Sequence, residues 1–304
     1  MASNNHDIWV LCGPTGVGKT EFSIDLAHSL GAEVICLDAF QIYKGIPILS
    51  ACPSDSDYQK VDHHLFEFLD PKTNFSLAAY YEKATNLIKS CWKRGVVPLL
   101  VGGTGLYLKV LIDGFEQSGK EQDTQLREEL NELAETDGRL KVYEILQGIN
   151  PSRAAELHPN DLKRVIRAIE VGQQSEDGTQ RRDDLAEFCP QWNKLCLMQE
   201  REILYNGVNL RVKSMIEMGV ESEVEALLEN GIYEGFTICQ AIGFNETREF
   251  LRGSIHRKEW IERFQRNTRR FLKRQLTWYR SMKDLQIIWP EQRKQCLQEL
   301  SSRK

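Results

Sequence analysis

Short apolar runs and stretches of helical spacing alternate along the first hundred residues. Residues 8–12 form an apolar run that ends in a glycine-rich turn, and Phe22, Leu26 and Leu30 then recur at helical spacing. A second run at 34–37 ends at Asp38, residues 76–92 read as a helix, and 96–101 read as a third buried strand. Strands alternating with helices imply parallel βαβ units. After Asp113 the pattern changes. Residues 116–182 are polar, almost free of β-branched runs, and read as helical. Their clearest element is 161–173, with Leu162, Ile166 and Ile169 on one face and Asp161 as its cap. Residues 174–184 have loop composition, whereas 194–198 and 285–289 read as two last strands. The predicted organisation is an α/β core formed by 1–115 and 191–304, interrupted by a helical insertion at 116–190.

Composition narrows the class. The 304 residues carry enough apolar material for a sizeable core, 41% by count. No apolar run approaches the ~20 residues that cross a bilayer, and no secretory leader is read at the N-terminus. The eight cysteines fall singly, with no CxxC pair, which argues against zinc ribbons and dithiol chemistry and fits a reducing cytoplasm. The net charge of −5 argues against a simple nucleic-acid binder. Its distribution does not, because 257–283 holds ten Lys or Arg against only Glu259 and Glu262.

Gly13-Pro14-Thr15-Gly16-Val17-Gly18-Lys19-Thr20 matches GxxxxGK[ST] between a strand and a helix. Glycines let backbone N–H groups turn around a phosphate chain, the helix N-terminus adds partial positive charge, Lys19 adds a full one, and the Thr20 hydroxyl suits Mg²⁺. The motif names a di- or triphosphate without naming a nucleotide. A P-loop NTPase carries a second strand ending in Asp. Here the strand at 96–101 ends in Gly102-Gly103-Thr104-Gly105, which offers amides and a hydroxyl but no carboxylate. The acid that does end a strand is Asp38. It is open to three roles: magnesium ligand, general base, or cap for the following turn. Arg211 lies at the edge of the stripe formed by Leu204, Val208 and Met215, so it either snorkels or meets an anion.

Taken together, these motifs resemble the tRNA dimethylallyltransferases. The matching segments are GPTGVGKT (13–20), LDAFQIYKG (37–45), PLLVGGTGLYLKVLIDG (98–114), HPNDLKRVIRAIEV (158–171), REILYNGVNLRVKSMIEMGVESEV (201–224), QAIGF (240–244) and TRRFLKRQLTWYR (268–280), in the family's order. The resemblance implies a P-loop-type parallel sheet flanked by helices, with an inserted helical subdomain that contacts tRNA. It implies transfer of a dimethylallyl group from its diphosphate to N6 of the adenine 3′-adjacent to the anticodon, in tRNAs reading codons that start with U. The P-loop then grips the diphosphate of a prenyl donor, residues 13–20 forming the cradle and Thr20 holding Mg²⁺. Asp38 becomes the base, Thr104 hydrogen-bonds near the bridging oxygen, and Arg211 clamps the departing diphosphate. The implied tRNA contacts are Asp38, Ala39, Phe40 and Gln41, the insertion residues Lys163, Arg164, Val165, Ile166 and Arg167, and the loop Gln240, Ala241, Ile242, Gly243, Phe244 and Asn245.

The basic side of the helix around 266–280, with Arg269, Arg270, Lys273, Arg274 and Arg280, is a candidate RNA surface, and its aromatic residues read as core. Gln41 and Gln240 are the expected readers of base edges. The partners expected are the tRNA anticodon stem-loop and dimethylallyl diphosphate, with no membrane, for a cytoplasmic monomer. The chain departs from the family pattern at three places: Ala39 replaces a serine, Leu49-Ser50-Ala51-Cys52-Pro53 lacks the family's lysine, and Gly207 replaces an arginine. Two other readings fit part of the pattern: a P-loop small-molecule kinase using ATP, and a non-catalytic RNA-binding nucleotide sensor.

Overall fold

The computed structural model describes residues 6–117, 123–173 and 180–302. Its contacts divide the chain into two units, 1–113 with 184–304, and 114–183. Residues 184–190, assigned by the sequence reading to the insertion, fall in the first unit, where the Asp184 amide donates to the Tyr81 hydroxyl at 2.7 Å.

The first unit opens with β1 (Asp7–Cys12), α1 (Lys19–Leu30) and β2 (Ala32–Cys36). Two single-turn helices, α2 (Pro47–Ser50) and α3 (Asp55–Tyr58), lead to β3 (His63–His64), α4 (Leu77–Lys93), β4 (Val97–Gly102) and α5 (Gly105–Asp113). The second unit holds β5 (Phe115–Gln117), α6 (Thr124–Thr136), α7 (Arg139–Ile149), α8 (Pro151–Ala155), α9 (Leu162–Gln173) and β6 (Gln180–Arg182). The chain then returns through β7 (Gln191–Leu197), α10 (Arg201–Glu217), α11 (Val220–Glu229), α12 (Phe244–Leu251), α13 (Arg257–Ser281), β8 (Gln286–Ile288) and α14 (Arg293–Ser301).

Six strands form one sheet in the order β3-β2-β4-β1-β7-β8, every pair parallel. β1 lies between β4 and β7, with Leu11 opposite Val101 on one side and Leu195 on the other. Its burial on both faces explains the unbroken apolar run read from the sequence. One apolar cluster packs Leu11, Leu26, Leu99, Leu195 and Leu272 together. A second gathers Cys36, Ile42, Tyr43, Phe244, Trp260 and Phe264.

In the second unit the core is Leu130, Val142, Leu146, Val165, Ile166 and Ile169. Buried Glu170 accepts from Arg127 Nε at 3.0 Å, from Arg167 Nη1 at 2.5 Å and from the Asp123 amide at 2.8 Å. Burial alone would raise its pKa, but these donors hold it below the usual glutamate value. The unit is not wholly helical, as β5 and β6 pair antiparallel, Phe115 opposite Arg182. Of the predicted loop at 174–184, residues 174–179 lie outside the described ones, and 180–182 are strand. Gln180, Arg181 and Arg182 are all polar, so this strand has no apolar alternation by which it could be read from sequence.

Candidate active site

The phosphate loop runs from buried Gly13 to Gly18, the N-cap of α1, with φ of 87°. Lys19 Nζ donates to the carbonyls of Gly13 at 2.8 Å and Pro14 at 3.0 Å, which hold the ammonium over the loop. Burial, together with the neighbouring Arg211, lowers the Lys19 pKa to about 8 against a partial offset from Asp38. Burial likewise lowers Arg211, and Asp38 counters it. Burial raises the Asp38 carboxyl, opposed by the Phe40 amide, Lys19, the Gln41 amide and Arg211. The three charges therefore share one electrostatic neighbourhood at the carboxyl ends of β1 and β2, where open α/β sheets bind ligands.

Asp38 Oδ1 accepts from the Phe40 amide at 2.9 Å and the Gln41 amide at 3.4 Å. The capping role left open by the sequence is thus filled by one oxygen, and it serves a turn rather than a helix. Thr104 stands across from it. Its amide donates to Leu37 O at 3.1 Å, and its Oγ1 accepts from the Ala39 amide at 3.1 Å. The Thr104 hydroxyl proton is thereby left to be donated elsewhere.

GGTG is more than a turn. A Cβ on Gly102 would sit 2.1 Å from Leu37 O, one on Gly103 2.3 Å from Gln275 Nε2, and one on Gly105 2.2 Å from Trp278 Cε2. The loop is short-sided because two other segments press on it. Gly105→Ala is expected to displace Trp278 and the first turn of α5 beside Thr104. The overpacking should cost about 1–3 kcal/mol, read as a lower denaturation midpoint with an unchanged slope.

Helix α13 supplies residues the sequence reading missed. Gln275 Oε1 accepts from the Thr15 amide at 2.9 Å, and its Nε2 donates to Gly103 O at 3.3 Å. Tyr279, one turn later, donates its hydroxyl to Gly13 O at 3.0 Å. Both lie within the TRRFLKRQLTWYR segment. Their signal was a glutamine buried amid apolar neighbours at i, i+4 spacing from a tyrosine, which only a satisfied polar network tolerates. Helix α10 meets the loop at its backbone. A Cβ on Gly16 would approach the Val208 amide nitrogen at 3.9 Å, and one on Gly207 would stand 4.0 Å from Gly16 O.

The expected RNA residues divide into two sets. Lys163 and Arg164 are exposed on α9. Val165 and Ile166 are not contacts through their side chains, since both are buried in the core of the second unit. Arg167 is tied to Glu170. In the Gln240–Asn245 loop, Gln240 and Asn245 are exposed and Ile242 half-exposed, whereas Ala241 and Phe244 are core. A Cβ on Gly243 would strike the Phe264 ring at 2.3 Å and Leu49 at 2.8 Å, so the loop lies on α2. Gln41 Nε2 donates to Ala51 O at 2.7 Å and Ser50 O at 3.4 Å, tethering the end of the same helix. On α13, Arg270, Lys273, Arg274 and Arg280 are exposed. Arg269 instead donates to Asn209 Oδ1 at 2.5 Å.

A glycine cradle on a parallel sheet, beside a carboxylate and two cations, defines a P-loop-type α/β transferase site. The IPP transferase family model matches residues 41–282, and the Isopentenyl transferase model matches residues 6–72. The chain belongs to the IPP transferase family. It is 40% identical over 281 residues to the tRNA dimethylallyltransferase of Dictyoglomus turgidum, covering 91% of this chain and 85% of that one. It is 38% identical to the tRNA dimethylallyltransferase of Geobacter sulfurreducens, covering 96% and 94%. The crystal structure of the full-length tRNA isopentenylpyrophosphate transferase of Bacillus halodurans superposes with a TM-score of 0.73 at 33% identity, covering 98% and 96%. A eukaryotic dimethylallyltransferase acting on tRNA gives 0.75 at 28% identity, covering 93% and 73%.

Proposed function

We propose that this chain transfers the dimethylallyl group of dimethylallyl diphosphate to N6 of the adenine 3′-adjacent to the anticodon, in tRNAs reading codons that begin with U. The observation that carries this reading is the meeting of Asp38, Lys19 and Arg211 at a glycine cradle whose neighbouring strand, β4, ends without a carboxylate. A γ-phosphoryl transferase needs a water or hydroxyl aimed at phosphorus. A prenyl transferase needs an anion held while its organic tail departs.

The residues divide the reaction accordingly. The loop amides, Lys19 and Arg211 hold the diphosphate. Asp38 takes the N6 proton as nitrogen bonds to the allylic C1, and the C1–O bond breaks to release diphosphate. Burial has raised the Asp38 carboxyl, which suits it to accept a proton. The Thr104 hydroxyl donates to the bridging oxygen, where charge accumulates as the bond opens, so it favours the transition state over the ground state.

Thr20 is half-exposed in the first turn of α1. No cluster of three or more His, Cys, Asp or Glu exists among the described residues. This donor set fits Mg²⁺, which takes one or two protein oxygens and completes its shell with phosphate and water. When bound it neutralises charge on the diphosphate.

The RNA partner is the anticodon stem-loop. Lys163 and Arg164 bind its phosphates, as does the exposed basic face of α13, and such contacts position without specifying. The adenine has to leave its stack to reach Asp38, with Gln240 and the exposed edge of its loop contacting neighbouring bases. A cytoplasmic monomer is the proposed working form.

The test is incubation with labelled dimethylallyl diphosphate and unmodified tRNA, followed by nucleoside analysis. Label on N6 of the adenine 3′ to the anticodon is the expected result. Consumption of ATP with a phosphorylated metabolite, or RNA binding without label, would replace this reading with the kinase or the sensor.

A further inference from the structure

The C-terminal helix reaches the phosphate loop through a side chain that the chemistry above leaves unused. Arg293, the first residue of α14, donates from Nη2 to Val17 O at 2.6 Å. Nη1 would lie 3.3 Å from a Cβ on Gly18, and the guanidinium carbon is 6.0 Å from the centroid of the Phe22 ring. The side chain is half-buried, with its Nε buried and without a hydrogen-bond partner. Among the described residues no carboxylate pairs with it.

This is an uncomfortable place for a cation. Gly18 caps the N-terminus of α1, the positive end of the helix dipole, and Lys19 follows it. A third positive group beside them is unfavourable unless it shapes the loop for an anion. The peptide geometry shows how it would do so. In a planar trans peptide the carbonyl and the N–H point opposite ways. Anchoring Val17 O to Arg293 therefore turns the Gly18 N–H away from α14. The same anchor explains a glycine at 18 twice over, through its left-handed φ and through the space the guanidinium takes.

We propose that Arg293 is a positioning residue for the diphosphate cradle: it pins the Val17–Gly18 peptide so that the loop presents its amide to the donor, and its charge deepens the site's positive potential. The inference rests on the reading of this loop as a diphosphate site. It makes the last helix part of donor binding, and residues near 290 part of a site that otherwise begins at Gly13.

The experiment compares wild type, R293A and R293K in steady-state transfer and in calorimetric titration with inorganic diphosphate. R293A is expected to raise the KM for dimethylallyl diphosphate and the Kd for diphosphate about tenfold, a factor corresponding to about 1.4 kcal/mol. The KM for tRNA and kcat are expected to stay within twofold, with R293K recovering part of the loss. Should R293A fail to fold, R293M keeps the aliphatic packing and is read by the same constants. A lower melting temperature with both donor constants unchanged overturns the proposal, because that is what a purely structural arginine would give. Failure of the wild type to transfer label at all overturns the reading of the site instead.

Discussion

Asp38→Asn is expected to lose transfer by about 10²–10⁴-fold, the usual contribution of a positioned base, while tRNA and diphosphate still bind. Asparagine keeps an oxygen for the Phe40 and Gln41 amides, so the turn after β2 survives and the loss is chemical rather than conformational. The measurement is single-turnover transfer beside filter binding of tRNA. Near-normal turnover in the variant removes Asp38 from the proton-transfer role. The pH dependence carries the same information with a definite sign. The base must be ionised, and burial has raised its carboxyl. Wild-type kcat/KM should therefore fall as pH drops, with the fall centred above the ordinary aspartate value, and no such limb should remain in the residual rate of the variant.

The second large effect belongs to Lys19. Lys19→Met is expected to lower kcat/KM for the prenyl donor about 10²-fold, because a hydrogen bond to a charged group is worth about 1.5–3 kcal/mol. The affinity for tRNA should hardly move. With its pKa lowered to about 8, the free enzyme's lysine is charged below that pH and neutral above it. An ammonium attracts diphosphate and an amine does not, so donor kcat/KM in the wild type should decline as pH rises through about 8. Lys19→Met should flatten that decline. Donor kcat/KM left unchanged by Lys19→Met would mean that Lys19 is not the group gripping the anion.

These two residues could be found because their signals are local. The glycine spacing from Gly13 to Gly18 and the helical repeat of Phe22, Leu26 and Leu30 lie within one strand–turn–helix unit. Backbone geometry dictates such a unit with little help from the rest of the chain. Asp38 was legible for the same reason, being the acid at the end of an apolar run. The chain alone also determined the parallel α/β class, since runs buried on both faces alternate with amphipathic helices. On α9 the 3.6-residue repeat already placed Ile166 inward. The expected RNA contacts Lys163, Arg164, Val165, Ile166 and Arg167 cut across that repeat, and Val165 and Ile166 follow the repeat into the core instead.

What tertiary structure decided is everything that meets across long separations. Gln275 and Thr15 are 260 residues apart, Tyr279 and Gly13 266, and Arg293 and Val17 276. No window of sequence contains both partners. Strand order belongs to the same class, because β1 is flanked by β4 and β7 rather than by the strand that follows it in the chain. The charges of Asp38, Lys19 and Arg211 were visible as letters, but their coupling was not. Side-chain type sets what each group can do, whereas burial and approach set which protonation state it holds.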